Sequence, residues 1–154
     1  MATKCCFGLW SPVNIAETEN YGVEAELSLQ KQFNKQHLEL KGNYSYTVSE
    51  NKMTGKQLIY VPFHKGNLSF AYSHKAFSMY YQHVFVGEVF TISRDELEVY
   101  DIGNIGLSYV LNMKGKVNYH LDFKVNNIYN KYYENVALRP MPNRNFQIQT
   151  TIKF

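Results

Sequence analysis

The chain has 154 residues, with 16 basic and 13 acidic side chains, a formal charge of +3 and a mean hydropathy of −0.37. That length suits one domain with one ordinary core, and so small and scattered a charge leaves no footprint for nucleic acid or a polybasic membrane patch. The longest unbroken apolar run is residues 58–61, which excludes a transmembrane helix but not a transmembrane β-barrel, whose strands alternate. The composition is unusual in its aromatics: 13 Tyr, 10 Phe and one Trp are more than a small soluble core needs.

Taken in chain order, the opening MATKCCFGLW has one Lys and no apolar stretch of about seven residues, so it does not read as a secretory signal. Cys5 and Cys6 are adjacent and lack metal-site spacing. Residues 1–18 read as an irregular N-terminal segment. From there, period-two alternation runs to the last residue. Tyr21, Val23, Ala25, Leu27 and Leu29 oppose Glu24, Glu26, Ser28 and Gln30. Leu38, Leu40, Tyr44, Tyr46 and Val48 oppose Glu39, Lys41, Asn43, Ser45 and Thr47. Two shorter strands follow at 67–73 and 76–86. Ile105, Leu107, Tyr109, Leu111 and Met113 then share one face, as do Val117, Tyr119, Leu121, Phe123 and Val125. In the last strand Phe146, Ile148, Thr150, Ile152 and Phe154 oppose Asn145, Gln147, Gln149, Thr151 and Lys153. No segment has a helical period. The fold is all-β, an antiparallel meander of about seven long strands over residues 19–154.

Short connections (Asn34-Lys35, His74-Lys75, Lys114-Gly115) alternate with long ones at 50–64, 87–96 and 130–143. Tight turns at one end and long loops at the other are the layout of an outer-membrane barrel, and several strands reach the roughly ten residues that cross hydrocarbon at a tilt. The apolar stripes could instead line a ligand-filled interior. Three features favour lipid: the strongly polar opposite face, the aromatics near strand ends, and a final alternating strand that stops on Phe154.

These residues resemble a known family. WSPVNIAETENYGVEAELS matches a turn into a "GVE" strand (Gly22-Val23-Glu24), and GKQLIYVPFHKGNLSFAY a "Y-x-P" loop (Tyr60-Val61-Pro62). The closing stretch holds an "N-[L/I]-[F/Y]" element (Asn127-Ile128-Tyr129), Tyr133, and a "P-G-R" turn reading Pro142-Asn143-Arg144, where Asn is expected to supply glycine's left-handed backbone. From about residue 9 onward the chain resembles the C-terminal part of the barrel of TonB-dependent outer-membrane receptors, plug-filled transporters of roughly 22 strands. The resemblance implies uptake of a scarce nutrient such as an iron–siderophore or cobalamin, no enzymatic activity and no cofactor. It places the chain in the Gram-negative outer membrane. The implied partners are outer-membrane lipid, the rest of the barrel and its plug, the assembly machinery, and the energy-coupling TonB system reached through the plug. Plug, energy-coupling box and most of the barrel have no counterpart in these residues. The expectation is therefore part of a transmembrane barrel, an open curved sheet if alone: a truncated, split or mis-started receptor, inactive in isolation. Two alternatives remain: a complete eight-stranded barrel that recruits residues 4–13, and a soluble lipocalin-like barrel keyed on Gly8-Leu9-Trp10.

Few residues suggest chemistry. His37, His64, His74, His83 and His120 lack metal-site spacing. Asp95, Glu96 and Glu98 read as a solvated acidic cluster, with calcium the minor reading. Tyr132, Tyr133, Arg139 and Arg144 read first as loop packing and interfacial belt, and second as nutrient or lipid-phosphate contacts. The last strand, with Phe146, Ile148, Thr150, Ile152 and Phe154 on its lipid face, resembles the signal read by the outer-membrane assembly machinery.

Overall fold

A computed structural model describes residues 17–93, 95–112 and 117–153, together with the backbone of 2–4 and 10–12. Seven strands form one sheet: β1 (Thr18–Phe33), β2 (Gln36–Asn51), β3 (His64–His74), β4 (Phe77–Val86), β5 (Tyr100–Asn112), β6 (Asn118–Asn126) and β7 (Asn145–Lys153). Each is antiparallel to the next, and β7 does not pair with β1, so the sheet is open with two free edges. A two-residue strand, Lys56–Gln57, folds back onto the end of β2. No helix occurs among the described residues. Ala2–Lys4 and Trp10–Pro12 pair with each other in a separate ladder, so the described part of the stretch that an eight-stranded barrel would recruit, Lys4 and Trp10–Pro12, is paired outside the sheet.

The register explains why the alternation is so regular. Leu29, Leu40, Phe70, Tyr81, Ile105, Val125 and Phe146 stand opposite one another in turn, one apolar row across all seven strands. The next row reads Ser28, Lys41, Ser69, Gln82 and Asn104. A one-residue slip at any pairing would exchange the two faces of that strand. Period two therefore fixes a sheet with one apolar and one polar side. Among the described residues no second layer covers the apolar side: Val48 is the only buried hydrophobic side chain, while Leu29 is 54% and Ile148 80% exposed. Among the described residues there is no core of the kind expected from the length.

Tight turns sit at one end. Asn34-Lys35 closes β1–β2 with Asn34 left-handed at φ 52°, a conformation Asn tolerates better than most residues. The β3–β4 turn is Lys75-Ala76, one residue later than the alternation suggests, because His74 stays in the ladder opposite both Gln36 and Phe77. The turn read at Lys114-Gly115 lies outside the described residues. The long connections, 52–63, 87–99 and 127–144, all emerge at the opposite end.

Candidate functional site

The polar face carries a hydrogen-bonded network between strands. Gln82 Nε2 donates to Asn67 Oδ1 at 3.0 Å, and Asn104 Nδ2 donates to Gln82 Oε1 at 3.4 Å. Asn126 Nδ2 donates to Asn145 Oδ1 at 2.8 Å, and Ser108 donates to Asp122. At the β1–β2 edge Gln30 Nε2 donates to Glu39 Oε1 at 3.0 Å, and Lys41 pairs with the same carboxylate. Cross-strand amides and hydroxyls of this kind suit a wet surface, where each bond adds order at small net cost.

Where this face meets the long loops, the strands change character. Val84, Val86, Tyr100 and Ile102 have the parity of the polar face, yet they line a cavity of about 420 Å³ together with loop residues of all three long connections. The loops are tied to one another and to the sheet. Tyr60 N donates to Phe90 O at 2.8 Å and Gly87 N to His64 O at 2.8 Å, and Phe63 meets Phe90 edge-on at 6.2 Å. Tyr133 lies against Tyr100 with ring centroids 4.5 Å apart, and the Tyr100 hydroxyl donates to Asn135 Oδ1 at 2.7 Å. Burial of the loop residue Tyr133 holds its phenol above the usual tyrosine range. Glu98, Glu134 and Lys65 bring charge to the cavity wall. The result is an aromatic, partly charged vestibule built by loops on a polar wall, able to take a ligand with apolar surface and hydrogen-bonding groups.

Asn127 organises the last of these loops. It is 2% exposed and left-handed, φ 51°. Its Nδ2 donates to Lys131 O at 2.8 Å and to Pro142 O at 3.4 Å, and its Oδ1 accepts from Lys131 N at 3.0 Å. The element Asn127-Ile128-Tyr129 thus bends the chain over the sheet. Ile128 N donates to Gly103 O at 2.8 Å, and Tyr129 reaches the apolar face, where its hydroxyl meets that of Tyr81 at 2.5 Å. A Cβ on Gly103 would lie 2.9 Å from Ile128 Cγ1, so glycine is what lets this bend close. The left-handed backbone expected at Asn143 falls instead at Asn127, Asn130 and Leu138. Arg144 N is held by Asn130 Oδ1 at 3.0 Å, which lets Pro142-Asn143-Arg144 run into β7 without a left-handed residue.

The other residues singled out in the sequence are scattered. Phe146, Ile148, Thr150 and Ile152 do share one face of β7, opposite Val125, Phe123, Leu121 and Tyr119, with Phe123 and Phe146 stacked at 6.4 Å. Phe154 lies outside the described residues, as do Cys5 and Cys6. His64, His74 and His83 fall on the apolar face and His37 and His120 on the polar one. Among the described residues no group of three or more His, Cys, Asp or Glu could hold a metal ion. Tyr132 donates to Glu134 Oε1 at 2.7 Å, and Glu134 Oε2 accepts from Leu138 N at 2.9 Å, so these side chains shape the loop tip. Alternation could not reveal Asn127 or the vestibule, because their partners lie on other strands and loops. The only signal was the motif that contains Asn127.

A family model described as TonB dependent receptor-like, beta-barrel matches residues 2–128, which takes in β1–β6 and the start of the last loop. No curated protein matches the chain. With a match over most of its length and a two-faced antiparallel sheet to go with it, the chain belongs to the TonB dependent receptor-like β-barrel family, outer-membrane receptors of Gram-negative bacteria that serve transport.

Proposed function

We propose that residues 19–154 form a contiguous section of a receptor's barrel wall, and that the receptor imports a scarce nutrient such as an iron–siderophore or cobalamin. Residues 1–18 lie ahead of that section. The apolar face lies against outer-membrane hydrocarbon, the polar face lines the lumen and its plug, and the long loops form the outer vestibule through which the ligand enters. The observation that carries this reading is the pair of open edges on a coreless, two-faced sheet. In lipid each unpaired backbone group costs several kcal/mol, so the edges of β1 and β7 call for further strands. On this reading the section is inactive alone and reaches the energy-coupling system only through the plug. The face of β7 bearing Phe146, Ile148, Thr150 and Ile152, completed by Phe154, acts as the strand recognised during barrel assembly.

Paired cysteine scanning tests the wall assignment in carbonate-washed membranes, with Cys5 and Cys6 replaced by Ser. Leu29→Cys and Ile148→Cys should resist a water-soluble maleimide, whereas Gln30→Cys and Gln149→Cys should react. Equal labelling within each pair would overturn the assignment.

A further inference from the structure

The vestibule does not end at the cavity of about 420 Å³ on the polar wall. A second cavity, of about 200 Å³, opens beside it, and Leu97, Glu98, Tyr133 and Glu134 line both. The halves of this cleft differ in character. The strand half has an apolar floor that includes Val84, Val86 and Ile102. The loop half is walled by Glu96, Glu98, Glu134, Tyr132 and Tyr133.

One sign of charge dominates the cleft. Among the described residues Lys65 is the only basic side chain lining either cavity, against three glutamates, and it does not reach the loop half. Lys65 stands in the row Glu24, Ser45, Lys65, Val86 and Tyr100. Glu24 and Glu26 share a further depression with it, so two carboxylates of β1 offset its charge from the other side. The glutamates of the loop half have no such counterion. The side chains of Glu96 and Glu98 make no hydrogen bond or ion pair with a described residue. The Glu134 carboxylate accepts only from neutral donors, the Tyr132 hydroxyl at 2.7 Å and Leu138 N at 2.9 Å. Lys131, Arg139 and Arg144 of the same loop line neither cavity.

Carboxylates gathered on a low-dielectric wall focus a negative potential into the space between them. A cation entering that space is attracted by the charges and by the faces of tyrosine rings, whereas an anion is repelled. The three glutamates are not grouped closely enough to hold a metal ion, so the cation that fits them is larger and more diffuse.

We infer that the vestibule binds a ligand joining an apolar body to a positively charged nitrogen, a protonated amine or a quaternary ammonium. The nutrient imported is then of this class and not an anionic chelate. The inference rests on the loop cleft being the entry of a receptor, as proposed above. The apolar body lies on Val84, Val86 and Ile102, and the charged nitrogen sits between Glu98 and Glu134 against Tyr132 and Tyr133.

The test uses outer-membrane vesicles carrying the protein, with Cys5 and Cys6 replaced by Ser and Leu97→Cys placed where the two cavities meet. After normalisation to a free thiol in solution, a trimethylammonium-ethyl methanethiosulfonate should modify this cysteine several-fold faster than the sulfonatoethyl reagent. Glu98→Gln should cut that ratio about twofold or more, and Lys65→Gln should raise it by a similar factor. Reaction with uncharged methyl methanethiosulfonate should stay the same in both variants, which shows the cleft intact. Benzyltrimethylammonium should protect the cysteine, and benzenesulfonate should not. Equal rates for the two charged reagents, a ratio that neither variant moves, or equal protection by the two ions would overturn the cation site. Leu29→Cys in the same vesicles separates that failure from failure of the wall reading. If it resists both charged reagents while Leu97→Cys shows no preference, the cation site falls and the wall stands. If it reacts as fast as Leu97→Cys while the preference at Leu97→Cys persists, the wall reading falls, and the link to import with it, but the site stands.

Discussion

Replacing Asn127 should release the last loop from the wall, and the structure sets the scale of the effect. In Asn127→Ala three side-chain hydrogen bonds disappear: two donated to Lys131 O and Pro142 O, and one accepted from Lys131 N. At about 1 kcal/mol net each, that is about 3 kcal/mol. The left-handed backbone at φ 51° adds roughly 1 kcal/mol of strain for alanine. Because tenfold in an equilibrium corresponds to about 1.4 kcal/mol, the Lys131 amide should exchange with solvent roughly 100-fold to 1,000-fold faster, read by hydrogen exchange in detergent micelles. Asn127→Gly relieves the backbone strain but restores no hydrogen bond, so it should stay close to alanine. Protection in Asn127→Ala within about threefold of the unmodified protein would refute the side-chain account. Full protection in Asn127→Gly would show that only the backbone conformation matters.

Other consequences follow from particular contacts. Gly106 stands opposite Tyr80, whose ring occupies the place of a Cβ, so Gly106→Ala should lower unfolding free energy in urea by about 1–3 kcal/mol. The same change made on Tyr80→Ala should be nearly neutral, and additive losses would exclude the contact as the cause. Tyr132 donates to the Glu134 carboxylate, which holds its phenol above the ordinary tyrosine range. Its hydrogen bond is therefore complete below that range and lost as pH rises through the shifted value. Glu134→Gln should move one tyrosine titration down, followed by carbon-13 NMR with Tyr132→Phe for assignment, and an unmoved titration would deny the pairing. Removing Phe154 should reduce the yield of assembled barrel in a complete receptor, whereas Lys153→Ala should not. Equal yields would remove the assembly-signal role of β7.

The strands were legible because each needs only its own alternation, and the seven apolar stripes of the sequence are the seven apolar stripes of the sheet. Their lengths were less legible. β1 begins at Thr18 and β2 runs to Asn51, since the ladder continues through polar pairs such as Glu19 with Glu50 that carry no alternation signal. Pro142-Asn143-Arg144 misled as a turn signal because a hydrogen bond from Arg144 N to Asn130, 14 residues away, does the work expected of a left-handed residue. The vestibule was invisible for the same physical reason. Tyr100 and Tyr133, or Tyr60 and Phe90, become neighbours only once the strands between them are in register. The apolar residues Val84, Val86 and Ile102 on the polar face look like lapses in a stripe until the loops fold over them.

The sheet also constrains what can complete it. Six successive antiparallel pairings leave β1 and β7 running in the same direction. A second copy turned about the barrel axis would therefore bring β7 of one chain against β1 of the other in parallel, with the slanted hydrogen bonds of a parallel ladder. An all-antiparallel closure instead requires a complement with an odd number of strands, both of whose outer strands run against β1 and β7, and seven plus an odd number gives the even count found in bacterial barrels. The two edges also ask for different neighbours. β1 offers 16 residues and β7 only nine, while a tilted crossing of hydrocarbon needs about 9–11. The strand that joins β7 need only span the membrane. On the proposed wall reading, a strand that pairs with all of β1 runs alongside Thr18–Phe33 for more residues than a crossing of hydrocarbon needs.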